Sequence, residues 1–229
     1  MNNRHWITIL TTRDYPFFEA LSKLQQKGVK VFNLSEEDPF EQKNSHYLKS
    51  DFVFDLTMAD REKKLTFLKH LDLIVECPII SDLSLHWGEL FFDNIPHLKG
   101  AISCVFPSPT DTYESYSSEE GIQEIIGTFL GWIGKKTIPV SQPGIGFIYP
   151  RVLSNIINEA YFAKEELLAT EEAIDRAMKF GVNYPLGPFE WAKQIGAKNI
   201  VSLLDELFFE TKDPRYRVSP LLRLESQGS

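Results

Sequence analysis

The hydrophobic pattern of this chain changes period once, and that change constrains the fold more than any other feature. Up to Val140, short apolar runs alternate with stretches of helical spacing. After the segment SQPGIG (Ser141 to Gly146) only helical spacing remains. Strands alternating with helices demand a mainly parallel sheet with helices on its faces, and such sheets take ligands at the carboxyl ends of their strands. The expected architecture is a doubly wound α/β domain with a mainly parallel sheet over residues 1–142. An all-α helical domain is expected over residues 143–229.

The expected strands are Trp6–Thr11, Val29–Leu34, Phe52–Leu56, Leu71–Cys77 (stopped by Pro78), Ala101–Phe106 and Thr137–Val140. Each is a short run rich in β-branched or apolar residues. Helices are expected over Tyr15–Lys27, closed by Gly28, and over Asp60–His70, Asp82–Phe92 and Glu119–Gly134. The stretch SEEDPFEQKNSH reads as polar turn. Beyond the boundary, helices are expected over Phe147–Ala163, from a Thr170 cap to Lys179, after the turn NYPLGPFEW, and over Ala197–Glu210. The tail KDPRYRVSP closes the chain.

Glycine sets a second constraint. Of 13 glycines only Gly28 and Gly88 fall in the first 99 residues, so the amino-terminal half has no ordinary phosphate-cradling loop. The net charge is −8, and basic residues cluster no further than pairs such as Lys63-Lys64 and Lys135-Lys136. No nucleic-acid partner is expected on that charge pattern. No apolar window reaches membrane-spanning length and the amino terminus has no signal-like run, so no membrane partner is expected and the cytoplasm is the expected location. Cys77 and Cys104 lie in apolar runs and read as buried free thiols.

The second half carries a dense series of motifs. Gly146-Phe147-Ile148 precedes Arg151; Asn158-Glu159-Ala160, Ile174-Asp175, Ala177-Met178, Gly181 and Gly187-Pro188-Phe189 follow; the series ends in DPRYRVSPLLR, Asp213 to Arg223. From Gly144 to the end the chain resembles the carboxy-terminal domain of the 3-hydroxyacyl-CoA dehydrogenase family. The first half resembles that family's nucleotide-binding domain in outline, through GKKTIPVSQPGIGFI and through HLDLIVEC, whose Glu76 stands for the acid at a strand end, and the resemblance implies an α/β Rossmann-like domain, mainly parallel and shortened, over residues 1–142.

The resemblance implies NAD as cofactor, an acyl-CoA or other small ligand in the interdomain cleft, and a homodimer through the helical domain. It also locates departures. The family's glycine turn falls on Leu10, Thr12 and Tyr15, where side chains block close approach of a pyrophosphate to the backbone. Arg13 could supply a charge in compensation, although an exposed loop arginine is the commoner reading. The ribose-binding acid falls on Ser35, beside Glu36 and Glu37. The catalytic His falls on Ser103, whose hydroxyl has the wrong acidity for a base at neutral pH. Its partner Glu falls on Ser115, next to Glu114. The family's Asn near the start of the helical domain falls on Pro150, before the retained Arg151.

Of the five histidines, all before residue 98, His97 is nearest in sequence to the cleft strand; none has the spacing of a metal site. Asn155 and Asn158 lie three apart on one helix face. No cofactor is assigned, with NAD the one the resemblance suggests. Three readings follow. The first is a divergent family member without the standard NAD-dependent chemistry, binding an acyl-CoA-like or nucleotide-like ligand. The second is an active NAD-dependent 3-hydroxyacyl-CoA (or related 3-hydroxy acid) oxidoreductase with a rearranged site. The third is a dimeric interaction scaffold.

Overall fold

A computed structural model of the chain describes residues 6–24 and 29–228. The expected Gly28 cap and His5 lie outside the described residues. The chain divides into two compact units.

The first unit comprises the residues up to Leu83 with Trp87–Cys104 and Thr110–Gly144. Its strands are β1 (Ile7–Thr11), β2 (Lys30–Asn33), β3 (Phe52–Leu56), β4 (Ile79–Asp82), β5 (Leu98–Ser103), β6 (Thr112–Ser117) and β7 (Lys136–Pro139). They form one sheet in the order β2-β1-β3-β4-β5-β6-β7. The pairs from β2 to β5 are all parallel, and only β5–β6 is antiparallel. Its helices are α1 (Phe18–Ser22), α2 (Arg61–Asp72), α3 (Gly88–Asn94) and α4 (Ile122–Trp132). From β1 the chain steps to one side for β2 and to the other for β3, so the direction of winding reverses between β1 and β3.

The strands form where apolar runs bury both faces, as parallel sheets require. Ile9, Leu10, Phe32, Phe54, Ile79 and Ile102 are fully buried, each worth about 1.5–3 kcal/mol. Phe54 stacks on Phe129 of α4, with ring centroids 4.0 Å apart.

Several expectations are corrected. LDLIVEC is not a strand. Leu71 and Asp72 continue α2, because Leu71 lies on its buried face with Lys64 and Leu68. The strand is Ile79–Asp82, and Pro78 precedes it. The expected Asp82–Phe92 helix shortens to α3, since Asp82 ends β4. The expected Tyr15–Lys27 helix is reduced to the five residues of α1 among those described. The polar stretch after β2 contains a 3-10 helix, Gln42–Lys49. β5 stops at Ser103, short of Phe106, and TYESYS forms the unexpected strand β6. Polar side chains had concealed β6, whose inward positions are Tyr113 and Ser115.

The second unit comprises Ile145–Ser229 together with Ser84–His86 and Val105–Pro109. Its helices are α5 (Tyr149–Glu165), α6 (Glu171–Gly181), α7 (Pro188–Ile195), α8 (Ala197–Thr211) and α9 (Pro220–Gly228). Thr170 caps α6 through the Ala173 N–H, as expected. The tail after the expected closing segment KDPRYRVSP adds an unexpected helix, α9. Leu153, Ile157, Tyr161, Phe189, Leu203, Leu204 and Leu222 form the core. Among the described residues no helix is long and apolar enough to cross a membrane.

Candidate functional site

The carboxyl edge of the first unit's sheet is the candidate site, because the winding reversal opens there. The ends of β1, β2, β3, β4 and β5 meet it, and so do the starts of β6 and β7. Of the expected site residues, Thr12, Arg13, Ser35, Ser103 and Glu114 lie on this edge.

The β1–α1 turn carries a side chain at every position where the resemblance implies glycine. Tyr15 is 3% exposed, and its hydroxyl donates to Asp82 Oδ2 at 2.7 Å. The Cys104 N–H donates to the same oxygen at 3.0 Å. Phe17 meets the Tyr15 ring edge-on at 6.2 Å and the Tyr113 ring at 5.4 Å. Tyr15, Phe17 and Tyr113 thus line the edge from β1 to β6 with aromatic surface. Burial, then the Asp82 charge, holds the Tyr15 hydroxyl well above its usual range. The same two causes raise the Cys104 thiol.

Arg13 is exposed and ion-paired with Glu36 of the turn after β2. Each would be needed by a nucleotide, one for phosphate and one for ribose, and each neutralises the other. Ser35 is exposed, and its N–H donates to Asn33 Oδ1 at 3.2 Å. Two buried polar atoms here lack a partner, Thr12 Oγ1 and Asn33 Nδ2. A dinucleotide laid across the ends of β1, β4 and β5 meets the Tyr15 ring, and no glycine lets its phosphates approach the backbone. These residues do not fit NAD.

The antiparallel register sets Ser103 directly opposite Glu114. Cross-strand Cβ atoms in such pairs lie about 4.5–5.5 Å apart. Ser115 faces the other side of the sheet. Its hydroxyl is bonded to Thr137 and accepts from Gln123 Nε2 at 2.7 Å. Glu114, rather than Ser115, is therefore the carboxylate brought to Ser103.

Other candidates fall elsewhere. Glu76 is exposed in the loop before β4, at the amino edge, because its run is not a strand. His97 precedes β5, also at the amino edge, where its Nδ1 lies 3.0 Å from Asp72 Oδ1. Pro150 and Arg151 belong to the second unit. Pro150 occupies the first turn of α5, where its missing N–H costs nothing. Arg151 bonds the Tyr216 hydroxyl, with Nε at 3.1 Å, and ties α5 to the segment before α9. Asn155 donates to the Arg151 carbonyl at 2.7 Å. Asn158 donates to the Arg217 carbonyl at 3.0 Å and accepts from the Ser219 N–H at 2.8 Å. Both asparagines hold backbone.

Asp82 and Tyr15 are the groups that sequence reasoning missed as a pair. A signal existed for Asp82: two isoleucines after Pro78 and before an acid form a strand with a polar carboxyl end. Nothing local pairs it with Tyr15. Among the described residues no three His, Cys, Asp or Glu side chains are grouped to hold a metal ion.

Both cysteines are free and buried. Burial raises the Cys77 thiol too. Neither is a reactive thiolate at neutral pH. Iodoacetamide is expected to label neither cysteine of the folded chain and both in guanidinium, as read by intact mass.

Residues 146–225 match the family model described as the 3-hydroxyacyl-CoA dehydrogenase C-terminal domain. The chain resembles the 3-hydroxyacyl-CoA dehydrogenase family. A probable 3-hydroxybutyryl-CoA dehydrogenase of Bacillus subtilis is 41% identical over 185 residues, covering 76% of this chain and 63% of its own length. The 3-hydroxyadipyl-CoA dehydrogenase of Escherichia coli is 44% identical over 96 residues, 42% of this chain and 20% of its own. The chain thus spans less than two thirds of the length of these curated relatives. The crystal structure of the (S)-3-hydroxybutyryl-CoA dehydrogenase of Ralstonia eutropha superimposes with a TM-score of 0.72 at 20% identity, over 98% of this chain and 94% of that one. That likeness shows the fold: a Rossmann-like unit followed by a helical one.

Proposed function

We propose that this 3-hydroxyacyl-CoA dehydrogenase-like chain is a divergent family member without the standard NAD-dependent oxidation. The observation that carries this reading is Tyr15, buried against Asp82 in a turn without glycine. Ser103 supports it, because a hydroxyl opposite Glu114 cannot take the place of an imidazole base. The ligand class that suits the dehydrogenase-like second half is an acyl-CoA-type molecule. Its two buried free thiols suit a reducing compartment, and the cytoplasm is the proposed location.

The test is an assay of acetoacetyl-CoA reduction by NADH, with calorimetric titration of NAD, NADP and CoA. No turnover and no dinucleotide heat are expected. Saturable NADH oxidation lost in Ser103→Ala would sink the proposal and favour the active alternative with a rearranged site.

A homodimer through the helical unit is also proposed, and α6 motivates it. None of its residues is buried, although Ile174, Ala177 and Met178 form one apolar face. Ile174 and Met178 line a groove of about 830 Å³, together with Ile156, Phe162, Glu159 and Arg215. Both charge signs on one surface suit a two-fold contact between copies. Light scattering at micromolar concentration should give twice the chain mass of 26.3 kDa. A monomer mass that persists on concentration would remove the dimer.

A further inference from the structure

The β1–α1 turn is anchored to the sheet by two aromatic side chains. α1 is five residues long, has no side-chain cap and buries a single residue, Leu21. Arg13, Asp14 and Pro16 are exposed. A helix this short has no stability of its own. Arg13 makes an exposed ion pair with Glu36, of the kind worth at most about 1 kcal/mol. The buried anchors of the turn are Tyr15, whose hydroxyl reaches Asp82 at the end of β4, and Phe17, whose ring lies against Tyr113 of β6. Lys135 Nζ stands 5.2 Å above the Phe17 ring, and its ammonium pairs with Asp111 at 2.6 Å.

We propose that the β1–α1 turn is a self-docked plug: Tyr15 occupies a site at the ends of β4 and β5 that otherwise takes a planar aromatic ligand bearing a hydroxyl or amine donor. The recognition chemistry is on the plug itself. An aromatic ring meets aromatic edges, and one donor meets the Asp82 carboxylate. The Asp82 oxygen is already oriented by the Cys104 N–H, so it does not depend on Tyr15 for its position. A ligand of this edge competes with Tyr15 for the same acceptor, and the turn leaves when the ligand enters. This inference rests on the proposal that the edge does not serve NAD, and it names the side chain that stands in the way.

The test uses the full chain as wild type, Tyr15→Ala and Tyr15→Phe, with p-cresol as probe. p-Cresol is the Tyr side chain as a free molecule. Calorimetry should show binding to Tyr15→Ala at least about tenfold tighter than to wild type, and Asp82→Asn in that background should reverse the gain. Hydrogen exchange separates a plug from an ordinary core tyrosine. If the turn is a plug, residues 12–22 exchange faster in Tyr15→Ala and remain fast with p-cresol bound. If p-cresol restores their protection, Tyr15 is only core filler and the proposal is overturned. A folded Tyr15→Ala that ignores p-cresol overturns it as well. Should Tyr15→Ala fail to fold, Tyr15→Phe decides: faster exchange at 12–22 supports the tether, and unchanged exchange refutes it. NADH binding by the wild type would instead defeat the cofactor-free reading, so the two failures are distinguishable.

Discussion

Lys64→Met is expected to cost the fold about 3–5 kcal/mol, because it leaves a buried carboxylate without its cation. Lys64 and Asp55 are both fully buried, with Nζ 2.6 Å from Oδ2. Asp55 also accepts from the hydroxyls of Ser81 and Thr57, each at 2.7 Å. Lys64 also donates to the Thr57 carbonyl at 2.7 Å. The cluster thereby joins β3, β4, the turn after β3 and α2 beneath the carboxyl edge. Removing the ammonium alone exposes the full desolvation cost of Asp55. Removing both charges does not, so Lys64→Met/Asp55→Asn should recover most of the loss. Urea unfolding followed by circular dichroism reads both variants. A loss below about 1 kcal/mol in the single variant, the range of exposed pairs, would show that the cluster is open to water.

The second large effect is at Gly146, at the entry to the helical unit. Its φ is +71°, a region that L side chains rarely adopt. An added Cβ would overlap the Leu203 side chain and lie 3.0 Å from the Ser84 carbonyl. The Gly146 N–H also donates to the His86 carbonyl at 2.9 Å. Gly146→Ala therefore combines left-handed strain with overpacking against α8. Strain of about 1–2 kcal/mol and overpacking of about 1–3 kcal/mol predict a loss of about 2–5 kcal/mol. Differential scanning calorimetry should show a lower melting temperature, and hydrogen exchange should place the loosening at Ser84–His86. A melting temperature within about 2 °C of wild type would mean that Leu203 repacks at little cost.

The two lysines at 63 and 64 show how far a sequence can be read. As a dipeptide they look like one basic surface pair. The helix separates them: Lys63 is exposed and pairs with Asp60, while Lys64 takes an inward position in the stripe with Leu68 and Leu71. Helical spacing alone makes Lys64 a neighbour of Leu68 and Leu71, but it is Asp55, nine residues earlier in another element, with the Thr57 carbonyl, that makes its burial tolerable. The run LDLIVECPIISD shows the same limit. Both LDLIVEC and IISD are apolar enough for a strand, and α2 decides between them by extending through Asp72. Local composition does not record where a helix ends against its neighbours.

The candidate site divides in the same way. The glycine-free turn and the serine in place of histidine are legible as residue identities. Which carboxylate faces Ser103 is not, because register between β5 and β6 follows from a strand whose polar sequence hides it. A one-residue slip would have brought Ser115 to that face and turned Glu114 away.

By itself, the sequence determined the order of most strands and helices, the change to helices after Gly146, the missing phosphate loop and the likeness of the second half to a known domain. All of these rest on local period or on residue identity. The tertiary structure alone decided that Tyr15 reaches Asp82, that Lys64 is buried with Asp55, and that Ser84–His86 and Val105–Pro109 belong with the helical unit. Each is a contact between residues distant in the chain. Such contacts are fixed by the packing of whole elements, and no short window of sequence contains both partners.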